Sequence, residues 1–134
     1  MKLQTESINR ILDTIKGNFD SAILVSNTEA NYASILGQTT SSVTWASAHS
    51  GLGIPLTWSS ASSKVISTTN KANDDNALNF SIKSGVTANA IVFVNSSPIT
   101  VDAIINLTSP KTGATTYGSG LYINKIDVTM TESI

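Results

Sequence analysis

A chain of 134 residues with net charge −1, 13% charged residues and no cysteine excludes several chemistries before any motif is sought. It has no basic field to hold nucleic acid by counterion release, no disulfide framework, and no thiolate nucleophile or cysteine zinc site. Ser, Thr and Asn fill 49 positions where Lys and Glu would be usual; such residues favour strand surfaces and turns and suit packing of one neutral subunit on another. The length predicts one domain that needs neither metal nor disulfide to hold its core.

The first predicted element is a helix. In "TESINRILDTIKG" the apolar residues Ile8, Ile11, Leu12 and Ile15 recur at i, i+3, i+4 and i+7, which is one stripe of a helix. Thr5 is placed to cap it, Glu6 lies at the positive end of the dipole, Lys16 at the negative end, and Gly17 supplies a stop. The stripe reads as a docking surface, with residues 1–17 a docking segment ahead of a β domain at 18–134. Changing Ile11 and Ile15 to Asp is then expected to abolish assembly and leave the β domain folded.

After Gly17 the apolar period shortens to two. "SAILVS" (21–26) predicts a buried strand, and "SSVTWAS" (41–47) one with Val43 and Trp45 on a shared face. "IPLTWSS" (54–60) aligns Ile54, Leu56 and Trp58, with Pro55 marking a strand start or an edge. "KVIST" (64–68) is a short strand, and "ALNFSIKSG" (77–85) alternates Leu78, Phe80 and Ile82 with polar residues before Gly85 ends it. "AIVFVNSS" (90–97) is apolar on both faces, the mark of a central strand. "ITVDAIINLTS" (99–109) follows Pro98, and "GLYINKIDVTMTE" (120–132) closes the chain with Tyr122, Ile126, Val128 and Met130 on one side. The connection 27–41 fits either a strand or a helical turn. Seven or eight short strands behind one helix, without βαβ alternation or an internal repeat, predict a mainly β fold. Its expected form is a β-sandwich or jelly-roll-like domain with one short N-terminal amphipathic helix.

Catalytic chemistry finds little to work with. There is one histidine, His49, and no Gly-x-Ser-x-Gly elbow; "YGSGL" (117–121) has the wrong glycine spacing. Among the acids, Glu6, Asp13, Asp20 and Glu29 belong to the helix or its exit, and Asp102, Asp127 and Glu132 to solvent-facing or terminal positions. No pair has the look of a glycosidase dyad. Asn73, Asp74, Asp75 and Asn76 offer the hard oxygens calcium prefers, yet they lack the spacing and glycine of an EF-type loop and read as a solvated turn. "GLG" (51–53) lacks the Lys-Ser/Thr and the helix of a phosphate cradle. Sequons at 95–97 and 106–108 carry little weight, since "MKLQTESINR" has no apolar core of a signal peptide. No segment approaches the roughly 20 apolar residues that cross a membrane. No catalytic residue, cofactor, metal, nucleic-acid partner or membrane contact is therefore expected. His49 reads as a loop residue, and Trp45 and Trp58 as core residues of a hairpin-like pair. The alternative is an exposed aromatic surface of Trp58, Tyr117 or Tyr122 that stacks on sugar, as in a carbohydrate-binding or adhesin-like module.

The order of features resembles the small virion proteins of tailed bacteriophages: head-decoration, head-fibre and tail-associated β-sandwich proteins. The resemblance rests on the short helix, on "NYAS…SSVTWASA", on "NALNFSIKSGVTANAIVFVN" and on the Gly-rich "TGATTYGSG" before the closing strand. It would cover most of residues 31–132, and the chain departs from it in the Ser-rich insert "SAHSGLGIPLTWSSASSK". The resemblance implies a non-enzymatic virion subunit that binds a capsid or tail lattice of other virion proteins, often as a homo-oligomer. It transfers no catalytic residue.

Overall fold

The apolar run at 21–25 and the longer one at 90–94 are dictated by a shared position: both lie inside a sheet that is covered on two faces. The computed structural model describes residues 2–46, 53–69, 78–113 and 119–131. Its central sheet is built on β1 (Ser21–Val25), β2 (Ile54–Pro55), β5 (Thr87–Ser96) and β6 (Ile99–Thr112), in the order β2-β1-β5-β6. β1 and β5 are antiparallel, with Ser21 opposite Val94 and Val25 opposite Ala90. Strands β3 (Val65–Ser67) and β8 (Asp127–Thr129) form a second pair, and β4 (Leu78–Ile82) and β7 (Ser119–Ile123) a third.

Alternation along β1 and β5 sends side chains to two cores. Ala22, Leu24, Ile91 and Phe93 meet Phe19, Leu78, Phe80, Ile82 and Ile126 on one face. Ile23, Val25, Ala90, Val92 and Val94 meet Ile35, Val43, Tyr32 and Trp45 on the other. This explains why neither strand shows a polar phase: a strand buried on both faces reads as a continuous apolar run. β4 has one solvated face, and its burial alternates as Leu78, Phe80 and Ile82 in, Asn79 and Ser81 out.

Helix α1 (Thr5–Ile15) starts at Thr5 itself, with Gln4 in the cap position and no side-chain cap; Glu6 lies in the first turn. The predicted connection 27–41 contains a second helix, α2 (Glu29–Ile35), followed by a 3₁₀ turn over Thr40–Ser42. The fold is thus mainly β with a short helix ahead of the strands and another after β1.

Two strand expectations are corrected. Val43 and Trp45 do share a face, but the described residues of that stretch, 41–46, do not make a strand. A 3₁₀ turn precedes them, and only 44–46 run beside β1, where Ala46 N–H donates to the Leu24 carbonyl at 2.8 Å and Ser26 N–H to that of Thr44 at 2.9 Å. Likewise the described part of 120–132, up to Thr131, holds two strands rather than one. β7 pairs with β4 and β8 with β3, because the chain changes sheets between Ile123 and Asp127. Leu121 and Ile123 therefore point inward and Tyr122 outward, out of phase with Ile126 and Val128. A single-residue change of phase moves every side chain to the opposite face.

Candidate interaction surface

The helix stripe is divided by the fold. Ile8 and Leu12 are each 1% exposed and pack with Ile66, Leu3, Ala61, Met130, Val128 and Trp58. Ile15 packs against the main core. Ile11 and the outer edge of Ile15, both half-buried, line a shallow depression of about 260 Å³ with Arg10 and Thr14. The stripe read from the sequence as a docking surface is thus largely spent on the chain's own interior. An apolar stripe has the same period whether it faces its own core or a neighbour.

Polar contacts hold α1 on the same support. Lys64 N–H donates to Asn9 Oδ1 at 2.9 Å, Ala61 N–H to Asp13 Oδ1 at 2.9 Å, and Lys16 Nζ to the Ser59 carbonyl at 3.0 Å. The support is a small three-segment sheet. Thr69 N–H donates to the Thr57 carbonyl and Ser59 N–H to that of Ser67, each at 2.8 Å, while β8 lies on the other side of β3. Lys16 also donates to Asp13 Oδ1 at 2.7 Å. That bond, with the Ala61 N–H second, holds the Asp13 carboxyl below its ordinary pKa.

Trp58 is half-buried against the main core. Its indole lies edge-on to Phe93, with centroids 5.6 Å apart, and 6.0 Å from Phe19. Its Nε1–H donates to the Phe19 carbonyl at 2.9 Å. Trp58→Ala is expected to destabilise the chain by about 3 kcal/mol through the lost ring packing. Trp58→Phe should cost about 1 kcal/mol, mainly the hydrogen bond to Phe19. Urea unfolding of the two variants checks this, and equal midpoints for Trp58→Ala and the unaltered chain would remove Trp58 from the core. Of the other aromatic candidates, Tyr122 is 55% exposed on the outer face of β7. Tyr117, His49 and the segment Asn73, Asp74, Asp75 and Asn76 lie outside the described residues.

The apolar surface the sequence did not flag is at the other end of the central sheet. Leu36 and Ile99 are 49% and 42% exposed. Gly37 N–H donates to the Val101 carbonyl and Val101 N–H to that of Gln38, each at 2.8 Å, so the exit of α2 lies along the start of β6. Leu36 sat in the segment with no assigned structure, and Ile99 passed for an ordinary strand residue.

Elsewhere the surface pairs hydroxyls with hydroxyls, amides or carboxylates. Thr69 Oγ1 donates to Thr57 Oγ1 at 3.0 Å, and Thr87 and Thr112 share a bond of 2.6 Å. Ser67 Oγ donates to Asp127 at 2.5 Å, Thr100 to Asp102 at 2.7 Å, and Tyr32 OH to Asn106 Oδ1 at 2.7 Å. Burial, reinforced by Glu29, raises the Tyr32 pKa and keeps that hydroxyl a donor. Among the described residues no three His, Asp or Glu side chains gather as metal ligands, and no helix is long and apolar enough to cross a membrane. No protein-family model, curated protein or solved structure matches the chain.

Proposed function

We propose that the chain is a non-enzymatic structural subunit of a bacteriophage particle, a capsid-decoration or tail-associated protein that works through subunit contacts within the virion. The observation that carries the reading is the surface: hydroxyls on and beside the strands hydrogen-bond to one another, as at Thr57–Thr69 and Thr87–Thr112. A neutral hydroxyl face loses little hydration energy when it packs on another such face, whereas burying Lys or Glu without a partner is costly. The resemblance in motif order supports the same assignment and supplies its virion setting. In this reading the central sheet and the β3–β8 and β4–β7 pairs are the two layers of a β-sandwich around the core of Phe19, Phe80 and Phe93. For the sugar-binding alternative, Trp58 is half-buried with its Nε1–H turned to the Phe19 carbonyl, and Tyr122 is exposed.

Light scattering behind size exclusion tests the proposal. The full chain is expected to form a defined homo-oligomer as its concentration rises from micromolar towards millimolar. A monomer at every concentration overturns the reading.

A further inference from the structure

The contacts that hold α1 form a recognition code between one helix and one support, and the chain leaving the helix is exposed for two residues before it is pinned. Two α1 side chains and that of Lys16 at its C-cap meet three backbone groups in antiparallel order: Asn9 with Lys64, Asp13 with Ala61, and Lys16 with Ser59. Ile8 and Leu12 fill the space over Ile66 in a cluster that meets the main core through Trp58 and Val128, with Ile15 packed on the main core beside them.

On the far side of the junction the chain is pinned. Phe19 is buried and its carbonyl accepts from Trp58. The Asp20 carboxylate accepts from Ser96 N–H at 2.8 Å and Ser96 Oγ at 2.7 Å. Between the helix and that anchor lie Gly17 and Asn18, both exposed in a 3₁₀ turn, with open space around the Gly17 Cα. The boundary between a separable unit and a fixed one therefore falls at two residues.

We infer that α1 exchanges between copies of this chain, the helix of one subunit occupying the support of a second and re-forming there the contacts it makes at home. The partner is specified by the contacts. Only a helix with Asn9, Asp13 and Lys16 at those spacings, above Ile8 and Leu12, matches the Lys64, Ala61 and Ser59 backbone, and a second copy carries it. The exchange adds no new interface chemistry, which is why swapping is a low-cost route to assembly. Tethering gives the home support an effective concentration of about millimolar, so the closed form prevails in dilute solution. Exchange is favoured where copies stand side by side at similar local concentration. Two extended residues reach about 7 Å, which restricts the receiving support to an immediate neighbour. The inference rests on the assembly reading above and names the contact within it.

The absence of cysteine makes a clean test. One full-length chain carries Asp13→Cys and a second, distinguished by a mass tag, carries Ala61→Cys. They are mixed at about 1 mM, where exchange should compete with the tether, and then oxidised. The expected result is a disulfide-linked dimer containing one of each chain on a non-reducing gel, growing with concentration. A third chain with both substitutions should close within itself when dilute. Absence of the mixed dimer, with the doubly substituted chain closing normally, overturns the exchange even if light scattering shows an oligomer. Absence of any oligomer by scattering overturns the assembly reading along with it.

Discussion

Leu12→Asp is expected to unfold the chain, and Ile11→Asp, one residue earlier, to leave it folded. Leu12 is 1% exposed, over Ile66 and beside Ile8 and Met130. A carboxylate there has no described cation in that cluster and would exchange hydration for hydrocarbon. Together with the lost leucine packing, the cost is about 4 kcal/mol or more, comparable with the lower end of the roughly 5–15 kcal/mol that keeps a domain of this kind folded. Ile11 lies on the outer side, in the depression beside Arg10 and Thr14, so Asp there should change stability by no more than about 1 kcal/mol. Circular dichroism melts of both variants provide the measurement. A Leu12→Asp chain melting within about 4 °C of the unaltered one would mean that α1 does not close the core. The contrast also corrects the sequence-based experiment at Ile11 and Ile15. Ile15 packs against the main core, so its Asp variant tests folding as well as assembly, and Ile11→Asp is the cleaner probe.

Gly53→Ala is the second large effect. Gly53 has φ +95°, and a Cβ built there would lie 2.3 Å from the Ala22 carbonyl oxygen and 2.9 Å from its carbon. Both atoms are backbone of β1, which is held on its other side by β5, so neither can move away freely. The left-handed conformation costs a substituted residue about 1 kcal/mol, and the overlap should add about 2 kcal/mol more as β2 is pushed from β1. Gly37→Ala separates the two terms: Gly37 has φ +79° with nothing within 4 Å of its Cβ position. It is expected to lose only the conformational part, about 1 kcal/mol. Urea midpoints of the two variants measure the difference. Equal losses would show that the close approach at Gly53 carries no energy of its own.

These positions separate what can be read locally from what cannot. The strand at Leu78–Ile82 was legible because one face is solvated and the alternation is complete. β1 and β5 were legible as buried strands because an apolar run bounded by polar residues has few other uses. Residues 41–46 misled because Val43 and Trp45 do share a face in the second core, while the backbone reaches that face by a turn. Trp58 raised a choice between core and platform that composition leaves open, since a tryptophan at an apolar strand phase serves either use. The core use is favoured by Phe19 and Phe93, residues 39 and 35 positions away, against which the indole packs.

The sequence by itself determined the mainly β class, the helix at 5–15, most strand cores and the neutral hydroxyl surface, because each depends on periodicity and composition within about ten residues. Only the tertiary structure decided which face of α1 is spent, where 120–132 breaks between sheets, and that Gly53 must lack a Cβ. Those outcomes depend on what lies opposite, and the opposing groups — Ile66 under Leu12, Thr68 N–H on the Ile126 carbonyl, the Ala22 carbonyl beside Gly53 — are brought there by chain folding from 31 to 58 residues away.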